Sequence, residues 1–328
     1  MARIFIDGFE SGHHDLWDAE GNATVVAVGA TGMDGVYCLD LADYGEFLEK
    51  NITAVDEMYF AMMYRYTSAA NHKGILSVFS DTNIMNMIRR NSVTGFINVL
   101  RASTLLDAGS KTLLINTTYL VEIYLKIADA PNGRIIVKVD GITDIDFTGD
   151  TLEAAYTQFN RVRLGFYSYD LGAGFAYYDN FIMDNADWIG NTNIQAVLPT
   201  GAGTTTEWTP STGSNYACVD ERPPSDVDYV STNTVDLTDT YATGNLAGTI
   251  GSVKCVQVQA RALVDGEPTP TNLKLAVRSG GTDYLSGDNE VPIAAKSFSH
   301  LWELNPADAA AWEEADVNAM EIGVKSAA

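Results

Sequence analysis

Two aspartates, one near each end of the first half of the chain, are the residues best placed to do chemistry. Asp7 lies in the apolar run Arg3-Ile-Phe-Ile-Asp-Gly-Phe-Glu10, and Asp179, followed by Asn180, lies in Tyr177-Tyr-Asp-Asn-Phe-Ile-Met-Asp184. If the first and last strands of a sandwich run side by side, the two carboxylates meet. A hard cation such as calcium takes several oxygens, which Asp7, Asp179, Asn180 and backbone carbonyls supply. The dense Asp-x-Asp-x-Asp-Gly loop is absent, so two readings stand: a weak calcium site, or ordinary strand-end aspartates. His13-His14 does not make a metal site, because adjacent strand residues point to opposite faces and His72 and His300 are distant in sequence.

The second candidate chemistry is glycan binding. Sugars are held by aromatic faces and bidentate hydrogen bonds, and Trp17, Tyr167, Tyr169, Tyr177 and Tyr178 are the aromatics available for it. Aromatics of a sandwich also fill cores, and that reading stands beside the first. Glycoside hydrolysis needs two carboxylates about 5 to 10 Å apart across a cleft. No such pair is apparent, and Asp140 to Asp146 reads as turn following a strand. No glycine-rich phosphate loop opens a helix, and four histidines without a motif around any serine define no triad. The expectation is a protein that is not an enzyme and carries no catalytic residues and no cofactor beyond the candidate calcium.

The totals agree with a scaffold or binding role. The 328 residues are 46% hydrophobic, enough for two cores, and their net charge of −23 opposes any large nucleic-acid footprint. Cys38, Cys218 and Cys255 are odd in number and widely spaced, which reads as free thiols. No basic start leads into a long apolar run and no run reaches about 18 apolar residues, so neither a signal peptide nor membrane insertion is expected.

The elements that would position these residues are strands. Met58, Phe60, Met62, Tyr64 and Tyr66 alternate with more polar neighbours, as do Val121, Ile123 and Leu125, then Ile135, Val137 and Val139. Val162 and Leu164 alternate with Arg161 and Arg163. Period two over this many segments predicts antiparallel sheets with one buried face each, and about a dozen strands make a two-sheet jelly roll. Arg161 to Tyr169 and Phe175 to Asp184 read as a hairpin, and Ala42 to Asn51 as a segment with a helical turn. The Gly/Thr-rich stretch after Asn185 predicts a boundary, giving domains 1–187 and 188–328. In the second, Val256 to Val264 and Leu273 to Val277 read as a hairpin about Asp265-Gly-Glu-Pro-Thr-Pro270. Pro306 opens a helical turn carrying Trp312, and Ala319 to Val324 closes the chain as a strand. The fold class expected is all-β, with two β-sandwich domains.

The opening strand, Tyr119-Leu-Val-Glu-Ile-Tyr-Leu-Lys126, Gly133-Arg-Ile-Ile-Val-Lys-Val-Asp-Gly141 and Tyr177 to Asp184 together resemble the laminin-G-like, concanavalin A-like jelly roll. The laminarinase-like branch of that fold carries a Glu-x-Asp-x-x-Glu strand, which this sequence lacks. The second half resembles a domain common in structural proteins of tailed bacteriophages, through Ile189 to Pro210, Val256 to Ala262, Val277 to Tyr284 and Ala311 to Lys325. That resemblance implies a virion component of capsid or tail, made in the host cytoplasm and partnered by other virion proteins and by copies of itself. The alternative is a host-recognition adhesin whose jelly roll binds cell-surface glycan.

Overall fold

A computed structural model of the chain describes residues 3–29, 31–42, 45–68, 73–165, 175–266 and 270–328. It is all-β, and it divides into two compact units, Met1–Ile194 and Gln195–Ala328.

The first unit is a sandwich of two antiparallel sheets. One runs β13 (Ile142–Gly149), β12 (Gly133–Val139), β11 (Tyr119–Lys126), β6 (Glu57–Tyr66), β15 (Ala176–Asp184), β4 (Tyr37–Leu41), β3 (Thr24–Ala27), with β1 (Arg3–Asp7) also paired to β15. The other runs β10 (Thr104–Ala108), β9 (Ile97–Arg101), β8 (Asn83–Arg90), β7 (Lys73–Ser80), β14 (Phe159–Gly165), β5 (Phe47–Val55), β2 (Ala19–Gly21). The alternation read from sequence builds the space between them. Phe60, Met62, Tyr64, Val121, Ile123, Val137 and Tyr178 of the eight-stranded sheet share one core with Leu76, Val78, Ile88, Val99, Val162 and Leu164 of the seven-stranded sheet. Each fully buried side chain of this size is worth roughly 1.5–3 kcal/mol, so the core is the main holding force.

Three local expectations are corrected. Arg161 and its neighbours do not form a hairpin with Phe175 to Asp184, because β14 pairs with β5 and β7 whereas β15 pairs with β4 and β6. The connection crosses between sheets, and loop composition does not distinguish crossing from turning. Residues 47–51 open strand β5 rather than a helical turn, since Leu48 alternates into the core. Asp144 and Asp146 lie within strand β13, not in a turn, with Arg134 of β12 holding Asp146 at 3.0–3.1 Å.

The expected boundary after residue 187 falls seven residues early. The Lys138 ammonium lies 3.4 Å from the Trp188 ring centroid, the Gly190 N–H donates to Glu122, and the Ile194 N–H donates to the Asn180 side chain at 2.8 Å. Asn180 adopts φ +50° at an irregularity of β15, a conformation asparagine tolerates better than most residues. Gly8 completes the seat, because a Cβ there would come within 2.8 Å of the Ile194 side chain.

In the second unit, Pro199–Thr206, Thr238–Thr243, Glu321–Ala327, Asn272–Ser279 and Thr282–Leu285 form one sheet in that order, with Asn289–Glu290 also on Asn272–Ser279. Val256–Ala262 and Lys296–Trp302 form a separate pair. Val256, Val258, Leu273, Leu275, Phe298, Trp302 and Trp312 bury against one another. Val256–Ala262 and Asn272–Ser279 are thus in different sheets, not in a hairpin. The helix spans Glu314–Ala319, after Trp312 rather than through it; Asn305 instead caps a tight turn by accepting the Ala307 N–H. The closing strand starts at Glu321.

Candidate functional site

β1 and β15 do run side by side, with Asp7 opposite Phe181. They do not build a cation site. Both Asp7 oxygens already accept hydrogen bonds, from the Phe9 N–H at 2.7 Å and the Trp17 indole N–H at 2.9 Å. The Asn180 side-chain oxygen Oδ1 accepts from the Ile194 N–H, and Asp179 Oδ1 accepts from the Asn180 N–H. That leaves Asp179 Oδ2, which is buried with no partner. Burial pushes the Asp7 carboxyl up to about 7, against the lowering effect of its two donors and of Lys50. Burial, with the charges of Glu10, Asp34 and Asp7, pushes Asp179 up to about 8. Burial thus favours the protonated form of both carboxyls. Among the described residues no three His, Cys, Asp or Glu side chains are grouped to hold a metal ion. His13 and His14 face Asp15 and Glu20 instead.

The aromatic candidates separate by burial. Trp17 is buried, edge-on to Phe5 at 5.2 Å and stacked with Phe9 at 6.3 Å. Tyr178 is fully buried and donates its hydroxyl to the Gly74 carbonyl. Neither presents a face to a sugar, because each occupies a core-facing position, and both are withdrawn as glycan platforms. Tyr177, one residue out of phase, is partly exposed. Tyr167 and Tyr169 lie outside the described residues.

A second arrangement of charged and aromatic groups lies on the side of the seven-stranded sheet away from the core, where Ser77, Phe79, Met87 and Leu100 are themselves buried and Arg161 and Arg163 are partly exposed. Val162, Leu164, Leu48, Leu76 and Ile88 turn inward, so the residues between them turn outward. Register then sets Glu49, Arg163, Ser77, Met87 and Leu100 in one row across β5, β14, β7, β8 and β9. Arg161 lies opposite Asn51 and Phe79 in a second row, and Arg89 lies opposite Gly74 and Asn98 in a third.

The long side chains lie down over this face. The Arg163 guanidinium is 3.9 Å from the Phe47 ring centroid and 4.9 Å from that of Phe79, and Arg161 is also 4.9 Å from Phe79. Glu49, only 4% exposed, holds both cations. Arg163 donates to its Oε1 at 2.7 and 2.9 Å, and Arg161 to its Oε2 at 3.3 Å. Stacking and ion pairing together fix the two guanidinium planes. Ser77 Oγ, Arg161 Nε and Arg89 Nε are buried without a hydrogen-bond partner. An unmet buried donor costs about 1–3 kcal/mol. Glu49 takes one of the five N–H groups that the Arg161 guanidinium offers.

This site was partly visible in the sequence. Arg161 and Arg163 are cations on the polar side of a half-buried strand, which is ordinary by itself. What alternation alone does not give is the pairing of β14 with both β5 and β7, which puts Glu49, Phe47 and Phe79 against those arginines.

No protein-family model matches the chain, and no curated protein matches it. Solved structures similar to it include an endo-β-1,4-glucuronan lyase from the fungus Trichoderma reesei, at 13% identity and TM-score 0.45, over 56% of this chain and 95% of that one. The alginate lyase Aly36B is similar at 15% identity and TM-score 0.36, over 48% of this chain and 83% of that one. The Caenorhabditis elegans galectin LEC-6 is similar at 11% identity and TM-score 0.32, over 44% of this chain and 96% of that one. The expectation that the chain is not an enzyme is corrected here: similar structures include polysaccharide lyases, so an absence of catalysis is not carried forward. At these TM-scores the likenesses assign no site and no substrate to this chain.

Proposed function

We propose that the first unit binds an acidic saccharide on the outer face of the seven-stranded sheet. The observation that carries this reading is the pair of guanidinium groups, Arg161 and Arg163, laid on Phe47 and Phe79 and oriented by Glu49. With Arg89, three cations face one carboxylate across the named rows. The chain as a whole has the opposite balance, with a net charge of −23. A polyanion is therefore repelled at long range and recognised only by local contacts, where planar guanidinium forks match carboxylate oxygens. The partly exposed Phe47 ring offers apolar area to the sugar's C–H face, while the buried Phe79 ring backs the two guanidinium groups.

The test is the affinity of the full chain for a uronic-acid oligosaccharide and for the same oligosaccharide with its carboxyl groups reduced. Binding should weaken about 10-fold or more on reduction, as expected for loss of a charge-assisted pair worth about 1.5–3 kcal/mol. Arg161→Gln should weaken binding of the acidic form alone. Equal affinity for both forms would refute the reading. Assaying the same mixtures for chain cleavage shows whether binding leads to catalysis.

For the second unit we propose a virion setting, supported by the resemblance of residues 189–210, 256–262, 277–284 and 311–325 to tailed-phage structural domains. In that setting the chain is a capsid or tail component that assembles with other virion proteins and displays its first unit to host-surface glycan. A cryo-electron map of the particle, with copies counted at each position, tests this; absence of the chain from particles refutes it.

A further inference from the structure

A second set of unmet polar groups lies on the other sheet. Thr24, Asp40, Tyr177 and Arg65 form one row across β3, β4, β15 and β6, each opposite the next in register. Their neighbours Val25, Leu39, Tyr178 and Tyr64 belong to the core, so this row faces away from it. Phe175, two residues before Tyr177, stacks on that ring with centroids 6.0 Å apart and planes 6° from parallel. Its own ring is 43% exposed, which gives the row an open aromatic edge.

The polar members are held without being satisfied. Asp40 is 8% exposed, and its Oδ1 is buried with no hydrogen-bond partner. Arg65 Nε is likewise buried and without a partner. The Arg65 guanidinium occupies the space that a side chain at position 32 would fill: a Cβ on Gly32, which sits at φ +69°, would come within 1.8 Å of Nη1. The Gly32 carbonyl is in turn tied to the Thr118 hydroxyl at 2.8 Å. A carboxylate oxygen that lacks donors, a guanidinium N–H that lacks an acceptor and a stacked aromatic pair thus share one short stretch of surface.

We propose that this row is a second saccharide site, distinct from the arginine face, and that it takes a neutral hexose unit. The sugar's C–H face lies on Phe175 and Tyr177, its hydroxyls donate to Asp40, and a hydroxyl or ring oxygen accepts from Arg65. Neutrality follows from the local charges. Asp40 feels the Glu46 carboxylate, and the one cation of the row, Arg65, does not outweigh the two. A uronate is therefore disfavoured here and favoured on the opposite sheet. This site goes beyond the acidic-saccharide reading and does not depend on it.

The experiment is calorimetric titration of the full chain with neutral oligosaccharides of glucose, galactose and mannose. Each is titrated against wild type, Phe175→Ala, Asp40→Asn and Arg161→Gln, with thermal melts confirming the fold of each variant. At least one neutral oligosaccharide should bind wild type. Phe175→Ala, which removes an exposed ring, should weaken that binding about 10-fold or more, and Asp40→Asn should also weaken it. Arg161→Gln should leave it unchanged while losing the acidic ligand. Failure of every neutral oligosaccharide to bind, or binding that survives Phe175→Ala, overturns the proposal. A wild type that binds a neutral oligosaccharide but no uronic-acid oligosaccharide would count against the arginine face and leave this site standing.

Discussion

Replacing Asp179 with asparagine should make the protein more heat-stable at pH 9 and much less so at pH 5. Asp179 is 1% exposed, with one oxygen lacking a partner, and burial lifts its carboxyl from 3.8 to about 8. The folded state therefore keeps a proton that the unfolded state has released. Between about pH 4 and pH 8 the unfolded chain binds fewer protons than the folded one, so stability from this group is full below the unfolded value and falls as pH rises. Each pKa unit corresponds to 1.36 kcal/mol, so ionising Asp179 in the fold costs on the order of 5 kcal/mol. Asparagine preserves the shape and the oxygen that accepts the Asn180 N–H, but it never ionises. At roughly 2–4 °C per kcal/mol for a unit of this size, the variant should melt about 10 °C or more above wild type at pH 9. Differential scanning calorimetry at the two pH values reads this directly. An equal shift at both, or a lower melting temperature for the variant at pH 9, would refute the reasoning.

Other outcomes follow from the same structure. Glu49→Ala leaves two neighbouring guanidinium groups without their shared carboxylate and should cost about 3 kcal/mol in urea unfolding, near the lower end for a broken buried pair; a loss under about 1 kcal/mol would show that Glu49 does not organise the face. Trp17→Phe removes the indole donor from Asp7 Oδ2 while keeping an aromatic ring in the core, and should cost about 1–3 kcal/mol by the same measurement. Cys38 is fully buried and its thiol is pushed up to about 12, chiefly by burial, so a thiol reagent at pH 8 should label it only after unfolding.

The period-two patterns of residues 58–66, 119–127 and 135–139 gave the strands and their buried faces, because alternation is a local property that a sheet cannot hide. The order of the strands is not local. The sequence between β14 and β15 carries Gly172 and Gly174, yet the two strands belong to opposite sheets. β5 was masked by Glu49 and Lys50, charged residues that a half-buried strand accommodates on its outer face and at its edge. Asp7 and Asp179 were correctly brought to neighbouring strands by the first-and-last-strand reasoning. Their chemistry was not legible, because it depends on which backbone N–H groups reach their oxygens. Tyr178 stands in sequence beside Tyr177, and only its parity against the core separates the two; Trp17 lies outside any strand, so no alternation marks it as buried. The arginine face needed the register of β5, β14 and β7 together, which no single stretch encodes.

The most direct measurement is a crystal structure of the full chain soaked with a uronic-acid oligosaccharide. A carboxylate is expected within hydrogen-bond distance of Arg161, Arg163 or Arg89, with the sugar lying along the Phe47 side of the seven-stranded sheet. A carboxylate bound elsewhere, with that face empty, would contradict that expectation.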